Sequence, residues 1–398
     1  MRPSMELNPF SWEFHEDPYP LYRWLRDHAP LYRNAELGFF ALSRYADVRE
    51  ASADWTTYSS AEGTTVERVD ARMFDAAPMM IFMDPPRHDR LRRLVSRAFT
   101  PRRVAGLEPF VRATAVRLLD ALVARGGGDF VQDFATPLPM EVIFTLLGVP
   151  DADRRQLRAW MDRALERDRD SPVVPPRAIE AMTNLRRYWF ELIPRLRAAP
   201  NDGLVCGLLD VEVDAAEGGG TRLTDNEIAG FCALLGAAGN ETVTKLLGNA
   251  AYLFARHPAE WARVLADPGV IPDAVEEILR YTSPSQYQGR VTTRDVEWYG
   301  TTVPKGARVL MLTGSANRDE REFPDPDRFD VLRRPENHLA LGYGIHFCLG
   351  ASLARLESRV ALEEFATRFP RYSVDEKRCV RVHMSNVQGW EHVPFTAA

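Results

Sequence analysis

Residues 342–350 read Gly342-Tyr343-Gly344-Ile345-His346-Phe347-Cys348-Leu349-Gly350. Three glycines in nine residues let the backbone turn tightly and come close to something flat and bulky. Cys348 stands at the start of a stretch, Leu349 to Arg368, whose apolar spacing predicts a long helix. The first turn of a helix offers free amide N–H groups and the positive end of its dipole. Both lower a thiol pKa and favour thiolate. A thiolate in an apolar, glycine-lined loop is a good iron ligand, and His346, two residues earlier, is placed to meet a nearby anion. A lone buried cysteine is ordinarily an inert small hydrophobe; the whole string argues otherwise here. A chain of 398 residues can bury a large core, and a sizeable apolar cofactor with it.

The string resembles the haem-binding loop of the cytochrome P-450 family, Phe-x-x-Gly-x-(Arg/His)-x-Cys-x-Gly, followed by the bacterial ending Leu353-Ala354-Arg355. One position departs from the family, with Leu341 where Phe is usual. The resemblance runs from about Pro18 to Pro394. It implies haem b (iron protoporphyrin IX) with Cys348 as the metal ligand, and Gly342, His346 and Gly350 lining the cofactor. It further implies a mainly α fold with minor β, a triangular helical body carrying small β-sheets.

Three further strings support this. Ala238-Gly239-Asn240-Glu241-Thr242 falls inside a predicted helix from Asp225 to about Arg256, opened by a capping box of Thr224 and Glu227. Glycine, asparagine and threonine are poor helix-interior residues, and a threonine hydroxyl competing for a backbone carbonyl can bend the helix or open it locally. Glu241 and Thr242 set an acid beside an alcohol, which suits proton delivery through ordered water. The string looks like the family's oxygen-activation motif. That implies catalytic roles for Glu241 and Thr242 and places Ala238 against the haem. Glu277-x-x-Arg280 places two opposite charges on one helix face. In the family such a pair is buried and completed by an arginine from a Pro-x-Arg-Phe string, matched here by Arg328, in a structural role. Buried carboxylates need cationic partners, and His88, Arg92, Arg290 and His346 match the family's haem-propionate ligands.

The remainder of the chain is consistent with one domain over 1–398. Helical spacing dominates 86–282 and 349–368, with strand-like parts near 30–60, 287–314 and 372–398. Within the body, helices are predicted at Arg87–Phe99, Glu108–Arg125, Met140–Leu147, Asp151–Arg169, Arg177–Arg197 and Pro272–Tyr281. Prolines at 172, 175 and 176 interrupt the pattern and suggest the hinge of a lid; 214–221 reads as a glycine-rich loop. The net charge of -6 argues against a nucleic-acid partner. The four cysteines form no C-x-x-C pair, so neither a zinc site nor a disulfide framework is expected. No membrane anchor or signal-peptide core is apparent, and a cytoplasmic location is expected.

By analogy with the family, Met79, Met80, Phe82, Leu234, Leu235, Ala238 and Val387 would line the substrate pocket, and their apolar character suits a hydrophobic small molecule. No flavin or iron–sulfur motif is present. The resemblance therefore implies a ferredoxin and ferredoxin reductase as partners, with electrons ultimately from NAD(P)H and O2 as co-substrate. Arg90, Arg93, Arg97, Arg102, Arg103 and Arg355 form either a basic patch that steers an acidic ferredoxin or a solvated helix face. The function implied is that of a haem-thiolate monooxygenase. A haem-thiolate peroxygenase and a non-catalytic haem protein that binds gas or another ligand remain as alternatives.

Overall fold

The apolar spacing from Arg87 onward folds as a helical body in a computed structural model that describes residues 6–66, 77–98, 100–166, 168, 173–212, 222–384 and 386–398. Its axis is one long helix, Asp225–Arg256. Thr224 Oγ1 accepts from Glu227 N at 3.3 Å, and Glu227 Oε2 accepts from Thr224 N at 2.9 Å, so the expected capping box is formed. Every residue from Val243 to Ala251 is buried. A helix apolar all round belongs in the middle of a core, and this one packs against the helices Pro137–Leu147, Pro176–Ala198 and Ala351–Arg368. The poor helix formers around Thr242 do not break it. The Thr242 hydroxyl donates to the Ala238 carbonyl at 3.1 Å, and the helix runs through.

Helices form at Arg87–Ala98, Glu108–Arg125, Asp151–Leu165, Pro176–Ala198 and Ile271–Thr282, within a few residues of the expected spans. The helix expected from Met140 begins at Pro137, after a π turn at Val131–Ala135. Pro137 and Pro139 sit in its first turn, where no intrahelical N–H is needed, so they open the helix instead of excluding it. Short helices at Leu204–Asp210 and Pro258–Ala266 escape the sequence pattern, since about two turns are too few to establish a period. The loop expected at 214–221 lies outside the described residues, as do residues 171 and 172 of the expected hinge.

The strand-like segments pair as expected near both ends of the chain. A five-stranded sheet runs in the order Leu31–Asn34, Phe39–Leu42, Arg308–Met311, Gln288–Thr292, Tyr58–Ser59. Phe39–Leu42 and Arg308–Met311 are parallel and the other neighbours antiparallel. A smaller sheet puts Pro394–Ala397 between Gly127–Asp129 and Tyr372–Val374. Near the C-terminus, the turn 386–389 is tied to the segment after Thr282. Gln286 N donates to Asn386 O and Gln388 N to Pro284 O, both at 2.8 Å. The fold is mainly α with small sheets, and no helix among the described residues is long and apolar enough to cross a membrane.

Candidate haem-thiolate site

The glycine loop holds Cys348 by its backbone. Gly342 and Gly344 take left-handed conformations (φ 76° and 71°), which L side chains rarely adopt. Cys348 N donates to Leu341 O at 2.8 Å. The following helix begins at Ala351, three residues beyond the sulfur. Cys348 is half-buried and lines a cavity with Gly342, His346, Gly350, Leu341 and Ala354 on one side and the long helix on the other. The lowered thiol pKa expected from a helix terminus is not found. Burial pushes the Cys348 thiol up, against the pull of the Gly350 N–H and the guanidiniums of Arg92 and Arg355. The apolar surroundings outweigh the helix end because no helical turn begins at the cysteine itself. A cation bound at the sulfur reverses this balance, since a coordinating thiol is deprotonated outright.

The expected propionate ligands converge. Arg92, Arg290 and His346 line the cavity. His88, buried behind them, has its ring 4.6 Å from that of His346. Their charges are partly compensated. Burial draws Arg290 down to about 10, and its Nη1 donates to its neighbour's carbonyl, Gly289 O at 2.7 Å. Burial also lowers Arg92, which donates to Phe347 O at 2.8 Å. His346 falls to about 3, through burial first and then the positive charges of Arg290, His88 and Arg92. His346 Nε2 shares a 3.0 Å hydrogen bond with Ser60 Oγ. His88 Nδ1 meets Asp89 at 2.9 Å, while its buried Nε2 has no hydrogen-bond partner among the described residues. Arg290 is offset by the Asp84 carboxylate, which is itself bound by Ser59 and Ser60, so Arg92 and Arg290 leave positive charge on the cavity wall that fits an anionic ligand. A sulfur, an apolar wall and this cationic rim therefore suit a haem with two propionates.

Above the loop, Ala238, Gly239 and Thr242 line the cavity from the long helix. Glu241 turns aside. Its Oε1 lies 2.8 Å from Lys245 Nζ, one helical turn on. That i,i+4 spacing was readable in the sequence, whereas the contact of Lys245 with the Trp390 carbonyl at 3.2 Å was not. Of the expected substrate residues, Met80, Leu234, Leu235 and Ala238 line the cavity. Met79, Phe82 and Val387 do not. Met80–Phe82 form a 3-10 turn that spreads consecutive side chains around its axis, and Val387 pairs with Ser285 behind the wall. Phe231, Leu246, Pro284 and Gln288, the last two in the segment 284–288, also contribute.

The Glu-x-x-Arg pair is fully buried, with Arg280 Nε 2.7 Å from Glu277 Oε2. Its third member differs from expectation. Arg333 Nε lies 3.1 Å from Glu277 Oε1 with the side chain largely enclosed, while Arg328 points outward to Asp330 and is 60% exposed. Arg328 contributes its backbone, because its carbonyl accepts from Arg333 at 3.0 Å. The coil turns between the two, so the arginine five residues later reaches inward. Two members of the expected basic patch are ion-paired. Arg90 pairs with Glu227 and Arg355 with Glu276, both at 2.6 Å, while Arg97 and Arg103 donate to the carbonyls of Glu212 and Asp202 at 2.5 Å. Arg93, Arg97 and Arg102 are exposed.

Comparison with known proteins agrees with this geometry. A family model described as Cytochrome P450 matches residues 270–386. The chain is 47% identical to a putative cytochrome P450 123 of Mycobacterium tuberculosis over 397 residues, covering 99% of this chain and 97% of that protein. It is 41% identical to a vitamin D(3) 25-hydroxylase of Pseudonocardia autotrophica, covering 97% and 95%. Among solved structures it superposes on cytochrome P450 CYP109Q5 from Chondromyces apiculatus with a TM-score of 0.89 at 35% identity, covering 98% of each chain.

Proposed function

The chain belongs to the cytochrome P450 family and is a haem-dependent monooxygenase that uses O2, and we propose that Cys348 Sγ is its iron ligand in the cavity described above. The observation that carries the assignment is a cavity-facing sulfur in the same cavity as the guanidiniums of Arg92 and Arg290, which burial draws down. His88, Arg92, Arg290 and His346 would hold the propionates, which supply the missing negative charge. When bound, haem supplies the redox chemistry by which one atom of O2 enters the substrate.

The chain's own residues do the rest. Gly342 and Gly350 would let the loop come close to the cofactor, and Gly344 lets it lie against the Ser52 carbonyl. Ala238 and Gly239 keep the cavity face of the long helix slim. Thr242 lines the cavity, and its hydroxyl would accept and pass a proton there, with Glu241 beside it as the acid that resupplies the proton. Glu277, Arg280 and Arg333 hold the coil that leads into the cysteine loop. The apolar wall of Phe231, Leu234, Leu235, Leu246 and Met80 excludes water and favours a hydrophobic small molecule. The hydroxylase among the relatives acts on such a molecule, vitamin D(3). Electrons would come from NAD(P)H through a ferredoxin reductase and a ferredoxin, docking beside the exposed Arg93 and Arg102, in the cytoplasm.

The test is the carbon monoxide difference spectrum of the dithionite-reduced protein. A strongly red-shifted Soret band is expected, lost in Cys348→Ala. A band at the position of histidine-ligated haem, or a Cys348→Ala spectrum identical to wild type, would overturn the ligand assignment. Turnover that runs on ferredoxin and NAD(P)H, and not on peroxide alone, distinguishes the monooxygenase route from a peroxygenase.

A further inference from the structure

Glu241 and Lys245 are nearly enclosed, their side chains 13% and 6% exposed. The ammonium reaches two acceptors, Glu241 Oε1 at 2.8 Å and Trp390 O at 3.2 Å. Its alkyl chain lies flat on Gly389. A Cβ at that position would fall 2.6 to 2.9 Å from Lys245 Cβ, Cγ and Cδ, closer than real atoms approach. The turn that carries Gly389 and Trp390 is fixed at its other end to the cavity wall. Gln388 N donates to Pro284 O, Val387 bridges to Ser285, and Pro284 and Ser285 line the cavity. Trp390 itself is held between Tyr252, at 4.3 Å, and Arg381, at 3.7 Å from its ring centre. The helix Asp151–Leu165 brings Asp162, whose carboxyl senses both Glu241 and Lys245, and Arg158, 3.9 Å from Asp162.

We infer that Lys245, anchored on the Trp390 carbonyl, is a positioning residue that holds the Glu241 carboxylate off the cavity, so that Glu241 reaches the Thr242 side only when this pair opens. Thr242 lines the cavity and Glu241 does not, although they are adjacent in sequence. Neighbours on a helix point to different faces, and the ion pair holds the Glu241 side chain on its own. An enclosed carboxylate bound to an ammonium leaves it only if another partner replaces the lost contact. No proton originates at Lys245. The released Glu241 carboxylate takes a proton from solvent water and passes it to an acceptor on the Thr242 side, and Lys245 keeps its own three. Gly389 has a reason in this arrangement, since only a residue without a side chain leaves room for the lysine stem. The inference rests on reading Glu241 and Thr242 as proton carriers, which Thr242→Ala tests separately. Fully coupled turnover in Thr242→Ala would remove that reading without touching the tether.

The experiment is a double-mutant cycle in the haem-loaded full-length protein, using Lys245→Met, Glu241→Gln and the pair. The first readout needs no turnover. Amide hydrogen exchange over 386–392 is expected to quicken about tenfold or more in Lys245→Met, because the Trp390 carbonyl loses its donor. The second is peroxide formed per NADPH, with a surrogate [2Fe–2S] ferredoxin and its reductase and no substrate added. Lys245→Met is expected to raise it about twofold or more, and to leave it unchanged in the Glu241→Gln background, because the two residues act as one unit. Lys245→Arg, which keeps a cation beside the carboxylate, should return it toward wild type. An equal effect in both backgrounds, an arginine no better than methionine, or wild-type exchange and peroxide in Lys245→Met would each overturn the inference. Should Lys245→Met not load haem, Gly389→Ala displaces the same chain while keeping its charge. It should reproduce both changes, and wild-type values there would overturn the inference equally.

Discussion

Glu277 has no exposed surface, yet it accepts from Arg280 at 2.7 and 2.8 Å, from Arg333 Nε at 3.1 Å and from Asp330 N at 3.1 Å. Taking one member from such a cluster leaves a buried charge without its partner, which costs about 3–5 kcal/mol. Glu277→Ala and Arg333→Ala are each expected to lose that much in urea unfolding of the haem-loaded protein. Arg328→Ala, at an exposed side chain, is expected to change stability by about 0.5 kcal/mol or less; a large loss there would restore Arg328 as the third member. Glu276, next in sequence, predicts a pH dependence. Burial alone would raise its carboxyl, but hydrogen bonds from Arg355 and His338 pull it down to about 2. A carboxyl held lower when folded than when unfolded stabilises the fold above its unfolded pKa, about 4.3. That contribution fades as pH falls from there toward 2. Acid unfolding followed by circular dichroism should therefore flatten over this window in Glu276→Gln, and an unchanged curve would remove Glu276 as a source of acid sensitivity.

At the scale of elements, the long helix shows how one residue sets the position of a neighbouring segment. A Cβ on Gly230 would stand 2.3 Å from the carbonyl oxygen of Pro78, so the segment at 77–78 can lie against this helix only because residue 230 has no side chain. That segment leads straight to Met80 and Ile81 at the cavity wall. Gly230→Ala is expected to push it outward, at a cost of about 1–3 kcal/mol for overpacking, and to weaken the binding of apolar ligands. Spin-state titration with a panel of hydrophobic probes would show this as raised dissociation constants across the panel. Wild-type constants in the folded variant would mean that the segment takes up the methyl group without moving the wall.

At the scale of the whole molecule, the cavity gathers residues from many parts of the chain, from Ser52 to Ala354. Its buried cations oppose folding until an anion meets them, so cofactor binding and folding are linked. Haem-free protein is expected to unfold at a lower temperature than haem-loaded protein. Arg290→Gln should narrow that gap, because it removes a charge that the propionates would neutralise. Calorimetry of both forms of both proteins measures it, and a gap of wild-type size in Arg290→Gln would show that this guanidinium does not meet the cofactor.

Much of the fold and site follows from local sequence. The glycine loop around Cys348, the capping box at Thr224 and Glu227, the long helix they lead to, and the Glu277–Arg280 pair all depend on residues a few positions apart, and short-range spacing determines such contacts. Other features depended on where distant segments met. Arg333 displaces Arg328 because of how the coil turns under Glu277. Met80 faces the cavity and Met79 does not because a single short turn selects the side chain. Prolines 137 and 139 open a helix because they fall in its first turn. Lys245 meets Trp390 across 145 residues of chain. Local pattern states which side chains could act, but a contact between residues far apart in sequence exists only after the core has closed, when burial decides which charges are paired and which face the cavity.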